Sequence, residues 1–500
     1  MTARNPVDVL VVGGGINGAG IALDAAGRGL SVLLVEKNDL GSATSSASSK
    51  LIHGGLRYLE QFEFRLVAEA LREREVLLNT APHLVHPMRF VMPHVPQLRP
   101  AWMIRTGLWL YDLLARRQTL PGSAGIDLSH APYNHGLQPS LRKGFIYSDC
   151  WVDDARLVIA VARAAQTRGA QIRPRTACTA LRREHGQWRA TLLSACGTTE
   201  EVAARCVVNA AGPWAKSFLA DIAKLDVPFG LRLVQGSHII LPRLYEGEHA
   251  FILQNDDRRV IFAYPYQARY TLVGTTDVEL HGAPETCAVS DDEVRYLCRA
   301  VNRYFLRSVT EQDVVHRYAG IRPLFDDGSN NPSQVTRDYV LRVADVPEGA
   351  PLLSVFGGKI TTYRALAEQA VDRLQRWFPQ LGPQWTRGAV LDGGNLGGGG
   401  FCALLRDMER DYPWLSPTLR VALARRHGSN VQALLANADG VAALGTDFGA
   451  GLYAREVDYF VQHEWAGSGE DVLWRRSKCG LHLTPAQQQA VGAYVEKHVS

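Results

Sequence analysis

Three glycines and one acid near the start of the chain have the spacing of a nucleotide-binding site. Gly13, Gly15 and Gly18 follow an apolar run at G-x-G-x-x-G spacing, and Glu36 closes a second apolar run 18 residues after Gly18. In a dinucleotide site the first glycine allows a tight turn, the second lets a pyrophosphate approach the backbone, and the third lets a helix pack against the strands. An acid that accepts hydrogen bonds from the ribose disfavours a 2′-phosphate, so NADP is not expected, while FAD and NAD both stay open.

A polar segment follows at residues 44–58, TSSASSKLIHGGLRY, and combines hydroxyls, glycines and cations. Its hydroxyls and backbone N–H groups could hold a pyrophosphate or a flavin ring. Arg57 could bind a phosphate or a carboxylate with its fork of donors. The alternative interpretation is a solvated loop without a ligand.

Two later segments repeat the pattern of an apolar strand that opens into small residues. Residues 207–214, VVNAAGPW, place Ala211 and Gly212 where a ring or a pyrophosphate could lie against the backbone, although an ordinary strand-to-helix turn has the same pattern. Residues 352–362, LLSVFGGKITT, predict a strand, a Gly-Gly turn and a helix that begins near Ile360. The helix N-terminus and Lys359 would both favour negative charge on a reduced flavin. The alternative is a structural turn.

Three further cationic side chains stand beside predicted turns: His238 in QGSHII, Arg322 in GIRPL and Arg337 in TRDY. A surface arginine is usually solvated, and a single histidine is more often a satisfied core residue than a catalyst. None of the three is therefore evidence of a site by itself.

Residues 97–118, QLRPAWMIRTGLWLYDLLARRQ, combine aromatic and aliphatic side chains with flanking arginines. This pattern is typical of a helix that lies in the plane of an anionic membrane surface. The alternative is a helix buried between domains.

Composition excludes several classes of protein. The formal net charge of +4 is too small to indicate nucleic acid binding. The eight cysteines form no C-x-x-C pair and no histidine cluster has metal spacing, so we expect buried thiols in a reducing compartment and no metal site. The N-terminus leads directly into the first strand, so we expect no signal peptide. No apolar stretch reaches about 18 residues, so a spanning helix is not expected.

The order of the elements predicts two interleaved parts followed by a helical region. Length alone suggests two or three domains. Strand-rich stretches interrupt the nucleotide-binding pattern at residues 237–243, 250–254, 260–266 and 270–277, with a polar turn at 255–258 between two of them. The glycine-rich tract at 391–400 predicts a domain boundary. Residues 401–500 have a helical pattern, with Ser416, Ser429 and Thr484 as predicted N-caps.

We therefore expect one domain at 1–390 and an α-helical domain at 391–500. Within the first, the nucleotide-binding part covers mainly 1–95, 145–215 and 350–390, and the substrate part mainly 216–349.

Taken together, these segments closely resemble the family of aerobic, FAD-dependent glycerol-3-phosphate dehydrogenases. The likeness covers nearly the whole chain, including VVGGGINGAGIALDAAGRGLSV, ATSSASSKLIHGGLRYLEQFEFRLVAEALREREVL, RPAWMIR, YSDCWVDDARLV, NAAGPW, GSHII, GTTDVE, GIRPL, TRDY and SVFGGKITTYR. The C-terminal region is similar in general pattern only.

The resemblance implies an α/β FAD-binding Rossmann domain of the glutathione-reductase/D-amino-acid-oxidase type, an interleaved antiparallel β substrate domain and an α-helical C-terminal cap. It implies oxidation of sn-glycerol 3-phosphate to dihydroxyacetone phosphate by hydride transfer to FAD, with electrons passed to membrane ubiquinone. It further implies a homodimer, peripheral on the cytoplasmic face of the inner membrane, with contact to the anionic surface through about 97–118.

The resemblance also assigns site residues. The substrate site would consist of Arg57, Tyr58, His238, Arg322, Arg337 and Lys359. Among these, His238 would accept the C2 hydroxyl proton because its pKa is nearest neutrality, Arg322 would polarise the developing alkoxide, and Lys359 would stabilise the reduced flavin. The FAD site would consist of Gly13, Gly15, Asn17, Gly18, Glu36, Thr44, Ser45, Ser46, Ser49, Lys50, Leu51, His53, Gly54, Ala211, Gly212, Trp214, Gly357, Gly358, Lys359, Ile360 and Thr361.

Other functions stay open at this point. A glycerol-3-phosphate oxidase would return the electrons to oxygen, and the helix at 97–118 favours a membrane quinone instead. An amine or amino-acid oxidase of the same fold would not need the arginine-rich set. A non-catalytic FAD-binding protein would need no converging cations. An NAD dehydrogenase would leave the second and third glycine-containing segments without a role.

Overall fold

The structure is a computed structural model, and it describes residues 6–95, 97–114, 119–257, 259–326, 338–344 and 349–499. The strands of the described residues are β1 Val7–Val12, β2 Val32–Val35, β3 Leu51–Ile52, β4 Val85–Pro93, β5 Ala124–Asp127, β6 Lys143–Val152, β7 Gln171–Arg173, β8 Thr176–Glu184, β9 Gln187–Ser194, β10 Thr199–Asn209, β11 Gly230–Pro242, β12 Ala250–Gln254, β13 Val260–Tyr266, β14 Tyr270–Gly274, β15 Val278–Glu279, β16 His316–Asp326, β17 Val340–Ala344, β18 Leu352–Phe356, β19 Asp447–Gly449 and β20 Leu452–Tyr453. The α-helices are α1 Ile16–Gly27, α2 Phe64–Thr80, α3 Ala101–Leu113, α4 Asp154–Thr167, α5 Ala215–Ser217, α6 Asp291–Tyr304, α7 Tyr363–Asp372, α8 Gly400–Asp411, α9 Pro417–His427, α10 Val431–Leu434, α11 Ala454–Glu464 and α12 Pro485–Val499.

The first sheet carries the nucleotide-binding pattern. Its strand order is β17-β18-β10-β1-β2-β7, and β9 and β8 extend it from the first half of β10. The strands β18, β10, β1, β2 and β7 run parallel. Parallel strands are usually covered on both faces, which explains why β1 and β2 are continuous apolar runs. In β1, Val9 and Val11 pack on the side of α1, α4 and α7, whereas Leu10 and Val12 belong to a second core on the opposite face.

The second sheet is mixed but mainly antiparallel. Its order is β15-β11-β14-β13-β12-β4-β6-β3, with β16 on β11 and β5 on β6. The predicted strands at 250–254 and 260–266 coincide with β12 and β13, and they pair as an antiparallel hairpin across the predicted turn, of which residue 258 lies outside the described residues. Strand β11 begins seven residues before the predicted 237, and β14 ends at Gly274 rather than at 277.

One boundary inside the predicted first domain needs correction. We assigned residues 85–93 and most of 143–152 to the nucleotide-binding part, but β4 and β6 pair with each other and lie in the second sheet. Conversely, β17 lies in the first sheet although we placed it in the substrate part. Apolar strands of both sheets look alike in sequence, because both are buried, and only the pairing partners separate them.

The C-terminal region has a core of its own, built by α8 to α12 around residues such as Leu423, Val457 and Phe460. The Ser416 side chain accepts a hydrogen bond from the Leu419 N–H and caps α9, as predicted. Thr484 accepts one from the Gln487 N–H at the start of α12, also as predicted. Ser429 is not an N-cap, since it lies inside a 3₁₀ turn. The division at 391–400 stays a prediction.

Buried ion pairs attach this C-terminal region to the first sheet. Arg476 is fully buried, and its Nη1 and Nη2 lie 2.5 and 2.9 Å from the carboxylate oxygens of Asp39, three residues after Glu36. Arg156 on α4 pairs with the buried Glu464 at the end of α11. Breaking one partner of a buried pair costs about 3–5 kcal/mol, so these contacts fix the C-terminal helices next to the nucleotide-binding turn.

Candidate active site

A cavity of about 580 Å³ is lined by residues of both sheets. Its volume lies in the range of sites for small molecules and cofactors. It brings together most of the residues that the sequence singled out: Gly13, Gly15, Asn17, Glu36, Thr44, Ser45, Ser49, Leu51, His53, Tyr58, Ala211, Gly212, Trp214, His238, Arg322, Gly357, Gly358, Lys359, Ile360 and Thr361. Among the described residues, no group of three or more His, Cys, Asp or Glu side chains is placed to hold a metal ion.

The turn between β1 and α1 forms one end of the cavity, which we call the dinucleotide end. Gly13 has φ +113°, and a Cβ there would lie 2.4 Å from the Ala210 carbonyl oxygen. A Cβ at Gly18 would lie 1.9 Å from the carbonyl oxygen of Gly13. Gly18 therefore does not line the cavity, but it lets α1 begin directly against the turn, as predicted.

Glu36 lines the same end, but its carboxylate is already used. Oε2 accepts a hydrogen bond from the Gly14 N–H at 2.7 Å, and Oε1 accepts one from the Asn38 N–H at 2.8 Å. Burial raises the pKa of this carboxyl above its usual range, and the two backbone hydrogen bonds oppose that rise. Because each carboxylate oxygen has a second lone pair, the ribose contact stays a prediction.

The serine-rich segment connects this end to the second sheet. Ser45 Oγ accepts a hydrogen bond from the Ile16 N–H at 3.0 Å, so it satisfies an amide in the first turn of α1. The hydroxyl of Thr44 donates to the Ile321 carbonyl of β16 at 2.7 Å. Ser49 Oγ lies 2.8 Å from Nε2 of His238 on β11. The segment therefore fixes the relative position of the two sheets at the cavity.

Lys50 is a correction to the predicted FAD site. Its ammonium is buried and lies 2.8 Å from Asp154 Oδ1, and it also donates to the Ser46 carbonyl. The charge is thus neutralised inside the protein, and Lys50 does not line the cavity. Ser46 and Gly54 do not line it either; the Gly54 N–H donates to the hydroxyl of Tyr111 at 2.8 Å.

The Gly357–Gly358 turn closes the cavity from the other side of α1. Both glycines have positive φ, and a Cβ at Gly358 would lie 2.7 Å from Nδ2 of Asn17. That Nδ2 donates to the Gly357 carbonyl at 3.2 Å. A 3₁₀ helix, Ile360–Thr362, begins after Lys359 and leads into α7, in agreement with the predicted helix start.

The second sheet forms the other end of the cavity, which we call the substrate end. In the pairing of β11 with β16, Val234 lies opposite Arg322, Gly236 opposite Gly320, and His238 opposite Tyr318. Residues two apart share a face of a strand, so Arg322 and His238 face the same space with the glycine pair between them. The two glycines allow close packing there, because a Cβ at Gly236 would lie 2.8 Å from Arg322 Nη2 and a Cβ at Gly320 would lie 2.7 Å from the Ala47 carbonyl oxygen.

His238 is buried and neutral. Its ring stacks on Tyr318 with centroids 4.8 Å apart and an interplanar angle of 10°. Burial, helped by the positive charges of Lys50 and Arg322, lowers its pKa to about 3. We chose His238 as the proton acceptor because we expected its pKa to lie near neutrality, and that expectation is wrong for the ligand-free site.

Arg322 and Lys359 supply the positive charge of the substrate end. Arg322 Nη2 donates to the Thr276 carbonyl at 3.0 Å and to Asp277 Oδ1 at 3.2 Å. The Lys359 ammonium lies 3.9 Å from the centroid of the Tyr58 ring, a cation–π contact. The charge of Lys359 also helps burial to lower the pKa of His53 to about 4.

One predicted substrate ligand lies outside the cavity, and another lies outside the described residues. Arg57 lies in the 3₁₀ helix Leu56–Gln61 next to Tyr58 but does not line the cavity. Arg337 lies outside the described residues.

The sequence interpretation missed two residues of the substrate end. Gly274 lies opposite His238 on β14, and a Cβ there would lie 2.1 Å from His238 Cδ2. Asp277 lines the cavity beside Arg322. Both belong to the segment GTTDVE, which contributed to the family resemblance and to a predicted strand end but not to the predicted site, because nothing local shows which partner a strand will face.

Comparisons with known proteins show the family and the fold to which the chain belongs. The sequence profile described as "DAO: FAD dependent oxidoreductase" matches residues 8–364. The chain is 54% identical over 489 residues to a glycerol-3-phosphate dehydrogenase of Pseudomonas aeruginosa, which covers 98% of this chain and 95% of that protein. It is 50% identical over 491 residues to a D-erythritol 1-phosphate dehydrogenase of Brucella abortus, which covers 98% of both. Among solved structures, a glycerol-3-phosphate dehydrogenase from Bacillus halodurans complexed with FAD is similar with a TM-score of 0.74 and 25% identity, covering 100% of this chain and 95% of that one.

Proposed function

Because the chain belongs to the FAD-dependent oxidoreductases, and within them to the group of the glycerol-3-phosphate dehydrogenases, we propose that it oxidises sn-glycerol 3-phosphate to dihydroxyacetone phosphate. The observation that carries this proposal is the single cavity that joins a dinucleotide end to a substrate end with two cations and a neutral histidine. The glycine turns alone could be structural turns, and the cations alone could be solvated side chains, so neither end would indicate an oxidoreductase by itself.

The residues present fit FAD. Glycines of the β1–α1 turn and of the Gly357–Gly358 turn line the cavity, so a ligand can approach the backbone there. Asn17 Oδ1 is buried without a hydrogen-bond partner among the described residues, next to the same turn. Gly13, Gly15 and Glu36 would hold the ADP half, and Ser49, Gly357 and Thr361 would lie along the flavin half. When bound, FAD takes up the two electrons and the hydrogen that leave C2 of the substrate.

The cations of the substrate end bind and orient the phosphate of the substrate. Arg322 uses Nη2 for Thr276 and Asp277, so its other guanidinium nitrogens can donate to phosphate oxygens. Lys359 adds a second positive charge from the opposite segment. The roles of Arg322 in polarising the developing alkoxide and of Lys359 in stabilising the reduced flavin stay proposals beside this one. Binding energy from this remote group can hold C2 in position for reaction. Arg57 and Arg337 stay proposed ligands on the strength of the family resemblance.

His238 accepts the proton of the C2 hydroxyl at Nε2. A depressed pKa keeps the imidazole neutral at neutral pH, and in the tautomer that carries its proton on Nδ1, Nε2 is available as an acceptor. A dianionic substrate next to the ring would raise its pKa and strengthen it as a base. The proposed role thus persists, but its basis is substrate binding rather than a near-neutral pKa in the free protein.

Anaerobic reduction tests the activity. We expect the purified yellow protein to be bleached by sn-glycerol 3-phosphate in the absence of oxygen, with dihydroxyacetone phosphate as product. D-erythritol 1-phosphate is the second candidate substrate, because the Brucella abortus relative is similar over the same length. A higher kcat/KM for the four-carbon substrate would reassign the substrate, and a flavin that neither compound bleaches would refute the proposal.

We further propose that the electrons pass to membrane ubiquinone and that helix α3 contacts the bilayer. Ile104, Leu108 and Tyr111 are the buried residues of α3, and the opposite side of the helix is exposed, so α3 is not the helix buried between domains that we considered as the alternative. Its outer face is strongly apolar, with Trp102 69%, Trp109 57% and Leu113 60% exposed. Phe62 and Phe64 are also exposed. Arg105 is exposed on the same helix, and Arg116 and Arg117 lie outside the described residues.

The remaining parts of this proposal rest on the family resemblance. They are a homodimer and a location on the cytoplasmic face of the inner membrane. Within the described residues, no helix combines the length and the apolar character needed to cross a bilayer.

Vesicle binding tests the contact of α3. The double variant Trp102→Glu/Trp109→Glu should no longer float with anionic vesicles, because it places two charges in the apolar face. Its activity with a soluble dye should not change. The control is Val421→Glu/Val441→Glu, which alters two exposed valines of the C-terminal region. Equal flotation of both variants would contradict the assignment.

Reoxidation of the bleached flavin by oxygen as fast as by a soluble quinone would indicate an oxidase instead.

A further inference from the structure

The two cationic side chains of the substrate end, Arg322 and Lys359, supply donors but no acceptor. Arg322 and Lys359 can only donate hydrogen bonds. A polyol phosphate, however, also brings hydroxyl groups, which donate and therefore need acceptors in a buried site. Besides His238, the site must offer another acceptor if it recognises a hydroxyl other than the one that is oxidised.

Carboxylates are scarce among the described residues that line the cavity, and only three are present: Glu36, Asp221 and Asp277. Glu36 lies at the dinucleotide end and accepts two backbone N–H groups. Asp221 lies in the helical turn Phe218–Ile222, which packs on the first sheet. Asp277 is the remaining carboxylate, and it lies beside Arg322.

Asp277 is oriented by Arg322 but not saturated by it. Its Oδ1 accepts one hydrogen bond from Arg322 Nη2, at 3.2 Å, and its Oδ2 makes none among the described residues. The side chain is 31% exposed, and it lines the cavity. The ion pair with Arg322 holds the carboxylate in place, so a substrate would meet an acceptor that is already positioned.

We propose that Asp277 is a specificity-determining residue that accepts a hydrogen bond from a substrate hydroxyl other than the one at C2. It would make the site selective for a polyol phosphate over a phosphate that lacks this hydroxyl. The inference rests on the proposed function, since it concerns the substrate of the same site.

A pair of substrates separates this role from a structural one. We would compare kcat/KM for sn-glycerol 3-phosphate with kcat/KM for the propane-1,2-diol 1-phosphate of the same C2 configuration, which lacks only the terminal hydroxyl. The wild type should prefer the complete substrate by at least about 10-fold, the value of a hydrogen bond to a charged group. In Asp277→Ala this preference should fall to about 3-fold or less, and in Asp277→Asn, which keeps a neutral acceptor, it should be intermediate.

Glu279→Gln is the matched control. Glu279 lies two residues further along the chain and pairs with Arg232 outside the cavity, so its loss should leave the preference unchanged.

The outcomes are distinguishable. If Asp277→Ala lowers kcat/KM for both substrates by the same factor, Asp277 only orients Arg322 and the inference is wrong. A wild type that treats both substrates equally would overturn it as well. If Asp277→Ala does not retain FAD, the isosteric Asp277→Asn decides by the same ratio. If neither substrate reduces the flavin of the wild-type protein, the proposed function itself is refuted.

Discussion

The two ends of the cavity are built by different means. At the dinucleotide end the backbone forms most of the cavity wall, through glycines and the start of α1. Glu36 accepts a hydrogen bond from the Gly14 amide and Ser45 accepts one from the first turn of α1, and both bonds hold this backbone in place. At the substrate end, side chains from five separated segments meet, among them His238, Arg322 and Lys359. The first end is defined by shape and the second by charge and proton chemistry.

This difference has a consequence for mutation. A change of shape at the dinucleotide end should remove the cofactor and with it every activity. A change at the substrate end should leave the flavin bound and alter only the reaction.

Gly18→Ala should have the largest effect. The added Cβ would lie 1.9 Å from a backbone oxygen, and backbone cannot move aside as a flexible side chain can. We expect FAD to bind about 100-fold more weakly, at the upper end of overpacking costs. Flavin titration of the stripped protein measures this. Gly492→Ala is the control, since its Cβ would meet nothing within 4 Å. Equal affinities in both variants would break the comparison.

His238→Ala should retain FAD but slow anaerobic flavin reduction by about 100-fold or more, the usual contribution of a general base. Stopped-flow reduction with glycerol 3-phosphate measures the rate, and the flavin-to-protein ratio measures cofactor content. The exposed His185→Ala serves as a control. A near-normal rate would show that another group accepts the proton, and a loss of FAD would show that the two ends are not independent.

The sequence allowed one end to be predicted more fully than the other, for a physical reason. Gly13, Gly18 and Glu36 lie within one strand–helix–strand unit, where local spacing determines geometry. Lys50 looked equally suited to a phosphate, but its charge is neutralised by Asp154, more than a hundred residues away. A local pattern cannot show such a partner.

The substrate end shows the same limit. His238 and Arg322 were selected through the family resemblance, whereas Gly274 and Asp277, which pack against them, were missed. Their importance follows from the pairing of β11 with β14 and β16, and pairing depends on the whole fold. The core strands, by contrast, were predictable because burial leaves long apolar runs.

Gly274→Ala should have a smaller effect than the loss of the imidazole. The added methyl would displace the His238 ring from Ser49 and Tyr318 rather than remove it. We expect flavin reduction to slow by about 10-fold with unchanged FAD content. A displaced imidazole can still accept the proton, so its displacement should slow the reaction less than its removal does. In the background of His238→Ala the same substitution should have little further effect. Additive losses in the double variant would show that Gly274 acts through another group.

The smallest effect should appear in the pH dependence of stability, and its sign should differ between the two ends. Burial lowers the pKa of His238 to about 3, so between pH 6.5 and 3 the unfolded chain binds a proton that the folded protein does not. The free energy of unfolding therefore falls as the pH falls through this window. Burial raises the pKa of Glu36, so its contribution is lost as the pH rises instead. Thermal unfolding of the substrate-free protein at pH 7.5 and 5.5 should show that His238→Asn loses about 1 kcal/mol less than the wild type over this interval. Parallel losses in both proteins would mean that His238 is not neutral in the folded state.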